Sequence, residues 1–130
     1  MTRPASKHPT ELELEILKIL WERGPATVRE VREALRGFRK LAHTSVMTIM
    51  GIMVDKGQLT RAKNGGSYVY RARIRRGPTL RKMMGDLVDR AFEGSVGVAA
   101  LHLLEMGDVS EDEIERLHAL IGRRAKEETS

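Results

Sequence analysis

The sequence predicts a mainly α-helical chain with one small β-hairpin, on three observations. Helical periodicity fills three segments before residue 57. A turn-rich, strand-like segment follows, and helical periodicity then returns to the C-terminus. Three helices and a hairpin in that order make a winged helix-turn-helix. The helices behind it form a three-helix arm.

Composition agrees with this class. Only five of the 130 residues are aromatic (Trp21, Phe38, Tyr68, Tyr70 and Phe92), so the core is built from Leu, Ile, Val, Met and Ala. The absence of cysteine excludes a disulfide scaffold, a thiolate metal site and a cysteine nucleophile. The polar N-terminus and the lack of a long apolar run lead us to expect a cytoplasmic protein without direct membrane association.

The first helix spans about Thr10 to Arg23, opened by a Thr10/Glu13 capping box and stopped by Gly24-Pro25. Leu14, Leu17, Leu20 and Trp21 mark its apolar face. The second starts with a Thr27/Glu30 box, turns Val28, Val31 and Leu35 inward, and ends before Gly37. The third, about Thr44 to Lys56, turns Val46, Ile49, Met50 and Met53 to the core. Thr44, Met47, Thr48 and Gly51 form a second stripe, small and uncharged where mere solubility would favour charge.

Leu59–Ala62 and Tyr68–Arg71 read as strands joined by Lys63-Asn64-Gly65-Gly66-Ser67, whose Asn-Gly-Gly is suited to positive φ. Gly77-Pro78 marks a seam, so the expected domains are 1–78 and 79–130. The first carries 16 Lys/Arg against 7 Asp/Glu and the second 7 against 11, so an anionic partner is expected for the first alone. Beyond the seam, Leu80, Met84, Leu87, Val88 and Phe92 lie on one helix, Leu101 and Leu104 on the next. Ile114, Leu117 and Ile121 lie on the last, opened by a Ser110/Glu113 box. Three such short helices bury little surface alone, and a second copy of the chain is the simplest cover: a homodimer.

A major groove admits one α-helix, read by residues near its N-terminus. Thr44, Ser45, Met47 and Thr48 are therefore the expected base contacts, through hydroxyls and through methyl groups resting on thymine. Arg29, Arg39, Lys40, His43, Arg61 and Lys63 are the expected phosphate contacts, with Asn64, Gly65, Gly66 and Ser67 as the wing tip over the backbone. Gly51 leaves room either for DNA or for a neighbouring helix.

Thr10–Trp21, Thr27–Leu35, Thr44–Gly57, Tyr68-Val69-Tyr70 and Phe92–Ile121 together resemble the penicillinase-repressor (BlaI/MecI-type) family. The resemblance covers roughly residues 10 to 122. It implies a dimeric transcriptional repressor on a palindromic double-stranded DNA operator. It also implies relief by proteolysis of the arm after β-lactam sensing by a membrane metallopeptidase. The family's Asn-Phe cleavage dipeptide falls on His102-Leu103 here, and Ile52 stands where the family usually has arginine. The cysteines of the family's copper-responsive branch are missing.

No enzyme motif is present. The four histidines (His8, His43, His102 and His118) are far apart in sequence, and neither catalysis, a metal nor a cofactor is expected. A protein-binding winged helix would lack the basic surface. The alternative regulator is a ligand-sensing one, with an effector site in the arm near Met83, Met84 and Met106.

Overall fold

The structure is a computed structural model that describes residues 8–129. These form α1 (Glu11–Arg23), α2 (Val28–Leu35), α3 (His43–Asp55), β1 (Leu59–Asn64), β2 (Ser67–Ala72), α4 (Arg76–Ala91), α5 (Val96–Met106) and α6 (Glu111–Thr129). This is the winged-helix order followed by three arm helices.

Local chemistry sets most of the boundaries. The Thr10 and Thr27 hydroxyls accept from the N–H of Glu13 and Glu30 at 3.2 Å each, and the two carboxylates accept from the threonine N–H in return. Ser110 and Glu113 repeat the exchange ahead of α6. Gly24 ends α1 with φ at 90°, a conformation that favours glycine. By contrast, α3 starts after Ala42 with no side-chain cap. Its N-terminus instead follows a turn held where Arg32 Nε donates to the Leu41 carbonyl at 2.8 Å.

The hairpin is tighter than the sequence suggests. Asn64 pairs with Ser67, so the turn is only Gly65-Gly66, and the strands extend to Asn64 and from Ser67. Positive φ at Gly65 (67°) but not at Gly66 is the pattern of a type II′ turn, whose twist suits a two-residue hairpin. Tyr70 also exchanges backbone hydrogen bonds with Ala26, tying β2 to the α1–α2 connection.

One core holds these pieces together. Ile16, Leu17 and Leu20 of α1, Val31 and Leu35 of α2, Val46, Met50 and Met53 of α3, and Leu59 and Tyr70 of the hairpin are buried in it. Within α1 the buried arc differs from the expected one. Ile16 is fully buried, Leu14 is half-buried, and Trp21 sits at the edge with Nε1 donating to the Ile74 carbonyl at 2.9 Å. The arc is wide because α2, α3 and β2 all pack on α1.

Glu13 is more than a cap. It is buried, and Lys56 Nζ reaches its two carboxylate oxygens at 2.9 and 3.1 Å, with Gln58 Nε2 at 3.4 Å. Burial pushes its pKa up, but the Thr10 N–H, the Lys56 bond and charge, and Gln58 together hold it below the ordinary 4.5. A carboxyl depressed by folding stabilises the fold above the unfolded carboxylate range and loses that contribution as pH falls through its folded pKa. Glu13→Gln should therefore lower the urea midpoint most near neutrality. The gap to the parent should close as pH drops well below 4.5.

The chain divides into two compact units, the first ending at Met84 and the second starting at Gly85, within α4. Gly77 and Pro78 are not a linker: they lie in the first turn of α4, where proline's missing N–H costs no helical hydrogen bond. In the second unit the Ser95 hydroxyl accepts from Val98 N–H, and the His102 ring lies 5.3 Å from that of Phe92. Its helices bury few apolar side chains, Ala99 being the buried residue of α5. No helix of the described residues is long and apolar enough to cross a membrane.

Candidate nucleic-acid interface

The α3 helix sits with one face in the core and the other in solvent. Val46, Met50 and Met53 are buried at helical spacing, which turns Thr44, Ser45, Met47 and Thr48 outward. Met47 is 46% exposed, unusual for a large apolar side chain one residue from the core, and Ile52 is 47% exposed one turn after Thr48. A surface that offers two hydroxyl types and bare thioether and aliphatic groups, with no charge, is suited to groove edges that carry both polar atoms and methyl groups.

Gly51 lies on this helix. A Cβ built there would meet nothing within 4 Å, so no neighbouring helix needs the glycine. Of the two explanations for it, the packing one has no atoms to act through.

The expected phosphate contacts are all exposed: Arg29, Arg39, Lys40, His43, Arg61 and Lys63. Arg39 and Lys40 sit in the α2–α3 turn, where the Arg39 guanidinium lies 5.5 Å from the Phe38 ring centroid. Arg29, in the first turn of α2, lines a cleft of about 400 Å³ with His43, Met47, Gly66, Ser67 and Tyr68. The start of α2, the N-terminal part of α3 and the wing tip therefore converge.

Strand register explains the wing. Arg61 faces Tyr70, and Lys63 faces Tyr68, so all four share one side of the hairpin. Since Tyr70 is core, that side is the one turned toward the helices. The Arg61 guanidinium stacks over the Tyr68 ring at 4.7 Å, and a side-chain hydrogen bond with Tyr70 is the main cause of its raised pKa. Asn64, Gly65, Gly66 and Ser67 are exposed at the tip.

The expected dimer residues are distributed along the arm helices. Met84, Leu87, Leu101, Leu104, Ile114 and Ile121 are exposed, with Leu101 at 61% and Ile121 at 60%, while Leu80, Val88, Phe92 and Leu117 are half-buried. His102 and Leu103 lie inside α5, and Leu103 is 65% exposed. Among the described residues no three His, Asp or Glu side chains are grouped to hold a metal ion.

Sequence reasoning missed two features of the first unit. The Glu13–Lys56 pair was legible only as a cap, because its partner is 43 residues away. The cationic run from Arg71 to Lys82 escaped as well, although its signal is plain: residues 56–85 contain nine Lys/Arg and no Asp or Glu.

The penicillinase repressor family model matches residues 9–123. The BlaI transcriptional regulator of Mycobacterium tuberculosis is 32% identical over 109 residues, covering 82% of this chain and 78% of its own. The penicillinase repressor of Bacillus licheniformis is 23% identical over 112 residues, covering 86% of this chain and 88% of its own. The methicillin resistance regulatory protein MecI of Staphylococcus aureus is 20% identical over 112 residues, covering 86% and 91%. A solution structure of the DNA binding domain of the repressor BlaI aligns with a TM-score of 0.48 at 26% identity. It covers 55% of this chain and 89% of that one.

Proposed function

The chain belongs to the penicillinase repressor family, and we propose that it is a transcriptional repressor that binds a palindromic DNA operator as a homodimer. The observation that carries this reading is the exposed, uncharged face of α3, ringed by the cations of α2, the α2–α3 turn and the wing. Thr44, Ser45, Met47 and Thr48 read base edges; Arg29, Arg39, Lys40, His43, Arg61 and Lys63 take phosphates; residues 64–67 lie over the backbone. None of the four readers is Arg, Asn or Gln, so each half-site is read with modest specificity, and dimer spacing and DNA shape supply much of the rest.

The exposed apolar residues of α4, α5 and α6 form the dimer face. Half-site centres then lie one or two helical turns apart, each turn ~34 Å. A cut at His102-Leu103, by a membrane sensor metallopeptidase as in the family reading, would separate Leu104 and all of α6 from the DNA-binding unit. Each monomer would then hold one half-site weakly. Because the dipeptide lies inside α5, such a cut requires the helix to unwind locally first.

Two single substitutions test the division of labour. Thr48→Ala should lower discrimination against mismatched sites by ~1 kcal/mol or more while leaving the salt dependence nearly unchanged. Lys63→Ala should weaken binding to all sequences alike and reduce the slope of log K against log salt by about 1. Competition binding with matched and mismatched duplexes at two salt concentrations reads both. A Thr48→Ala variant that keeps full discrimination would remove α3 as the reading helix.

A further inference from the structure

The proposed reading face leaves the densest run of positive charge unused. Between Lys56 and Gly85 there is no Asp or Glu, and Arg71, Arg73, Arg75, Arg76, Arg81 and Lys82 fall within twelve consecutive residues. All six are exposed. Four cations of the same unit are paired, Lys18 with Glu15, Arg23 with Glu30, Arg36 with Glu33 and Lys56 with Glu13, while those around α3 are not. Among the described residues these six form no such ion pair.

Position separates the middle of this run from the reading face. Its Arg73 guanidinium comes within 3.2 Å of where a Cβ on Gly57 would stand, just past the C-terminal end of α3. Thr44 lies in the first turn of that 13-residue helix. At 1.5 Å per residue the two ends are about 20 Å apart. The backbone carrying the cations is also fixed rather than loose. Trp21 Nε1 holds the Ile74 carbonyl at 2.9 Å, and Arg73 N–H donates to the Gln58 carbonyl at 2.9 Å. Arg75 and Arg76 stand at the start of α4, the end of a helix where positive charge is disfavoured, and no acidic residue of the first turn offsets them. Helix stability therefore does not explain them, and the one carboxylate lining the same cavity as both, Glu22, forms no ion pair with either.

We propose that residues 71–82 form a second, sequence-independent contact for duplex DNA, taking phosphates outside the half-site that α3 reads. This rests on the repressor reading and adds to it. A protein partner fits the patch less well. No large apolar side chain in 71–82 is among the exposed ones, whereas protein interfaces centre on buried aromatic and apolar anchors. Phosphates ask only for fixed cations.

The test uses the full chain and the variant Arg73→Gln/Arg75→Gln/Arg76→Gln, with the Arg→Lys triple as control. Binding is measured against salt on the operator alone and on the same operator flanked by random duplex. For the parent, flanking DNA should steepen the slope of log K against log salt. The Gln triple should lose about 2 to 3 of that slope, since each phosphate contact contributes ~0.9, with site preference unchanged. The Lys triple should retain it. Equal slopes for parent and Gln triple on flanked DNA would overturn the proposal, as would loss of site preference in a Gln triple with native circular dichroism and Tm. A parent that shows no site preference at all would instead sink the repressor reading.

Discussion

Leu101→Asp should convert the proposed dimer to a monomer and remove most operator binding. Leu101 is 61% exposed in the middle of α5, and α5 contributes Leu104 to the same expected dimer face. A carboxylate placed there must be desolvated against apolar neighbours with nothing to pair it. Losses at central interface positions reach ~2 kcal/mol or more, and a two-fold interface contains the residue twice. About 4 kcal/mol corresponds to a weakening of dimer affinity by ~10³. Sedimentation or light scattering at micromolar concentration reads the mass directly, and operator binding should fall with it. An Asp variant that remains dimeric would place the interface elsewhere.

Tyr70→Ala should be the most damaging single change in the DNA-binding unit. The Tyr70 side chain is 1% exposed, and its backbone bridges to Ala26. It is also the partner of Arg61 across the hairpin. Removing a buried aromatic ring costs ~3–5 kcal/mol, a large part of the ~5–15 kcal/mol that keeps a domain folded. A fall in Tm of at least about 12 °C is expected for a unit of this size. Tyr68→Ala is the informative comparison. Tyr68 is 43% exposed, so its loss should leave Tm nearly unchanged while freeing the Arg61 guanidinium that stacks on it. Similar melts for the two variants would contradict the packing described for the wing.

Those two positions also show what the sequence discloses. Capping boxes at Thr10, Thr27 and Ser110 were legible because their two partners are three residues apart, and the structure forms all three. The core stripe of α3 was legible because one helix face repeats every three or four residues. In α1 the same method shifted the face, since that helix is covered from several sides and Ile16 is buried alongside Leu17. Relations across long separations were not legible. The Ala26–Tyr70 bridge and the Glu13–Lys56 pair depend on where distant segments meet. Turn chemistry identified the hairpin but not its length, because Asn64 and Ser67 suit a loop as well as the strand ends they occupy.

The candidate interface was largely legible, residue by residue, because exposure on α3 follows from what the core takes. The convergence of Arg29, His43 and the wing tip on one cleft required the fold. So did the placement of Arg73 beside Gly57, at the opposite end of α3 from Thr44.

Selecting DNA sites from a random pool with the purified chain, at low and at moderate salt, tests the central claim most directly. The expected result is enrichment of a palindrome with two half-sites one or two turns apart, recovered at both salt concentrations, with affinity falling as salt rises. Equal recovery of every sequence, or no DNA bound at low salt, would contradict it.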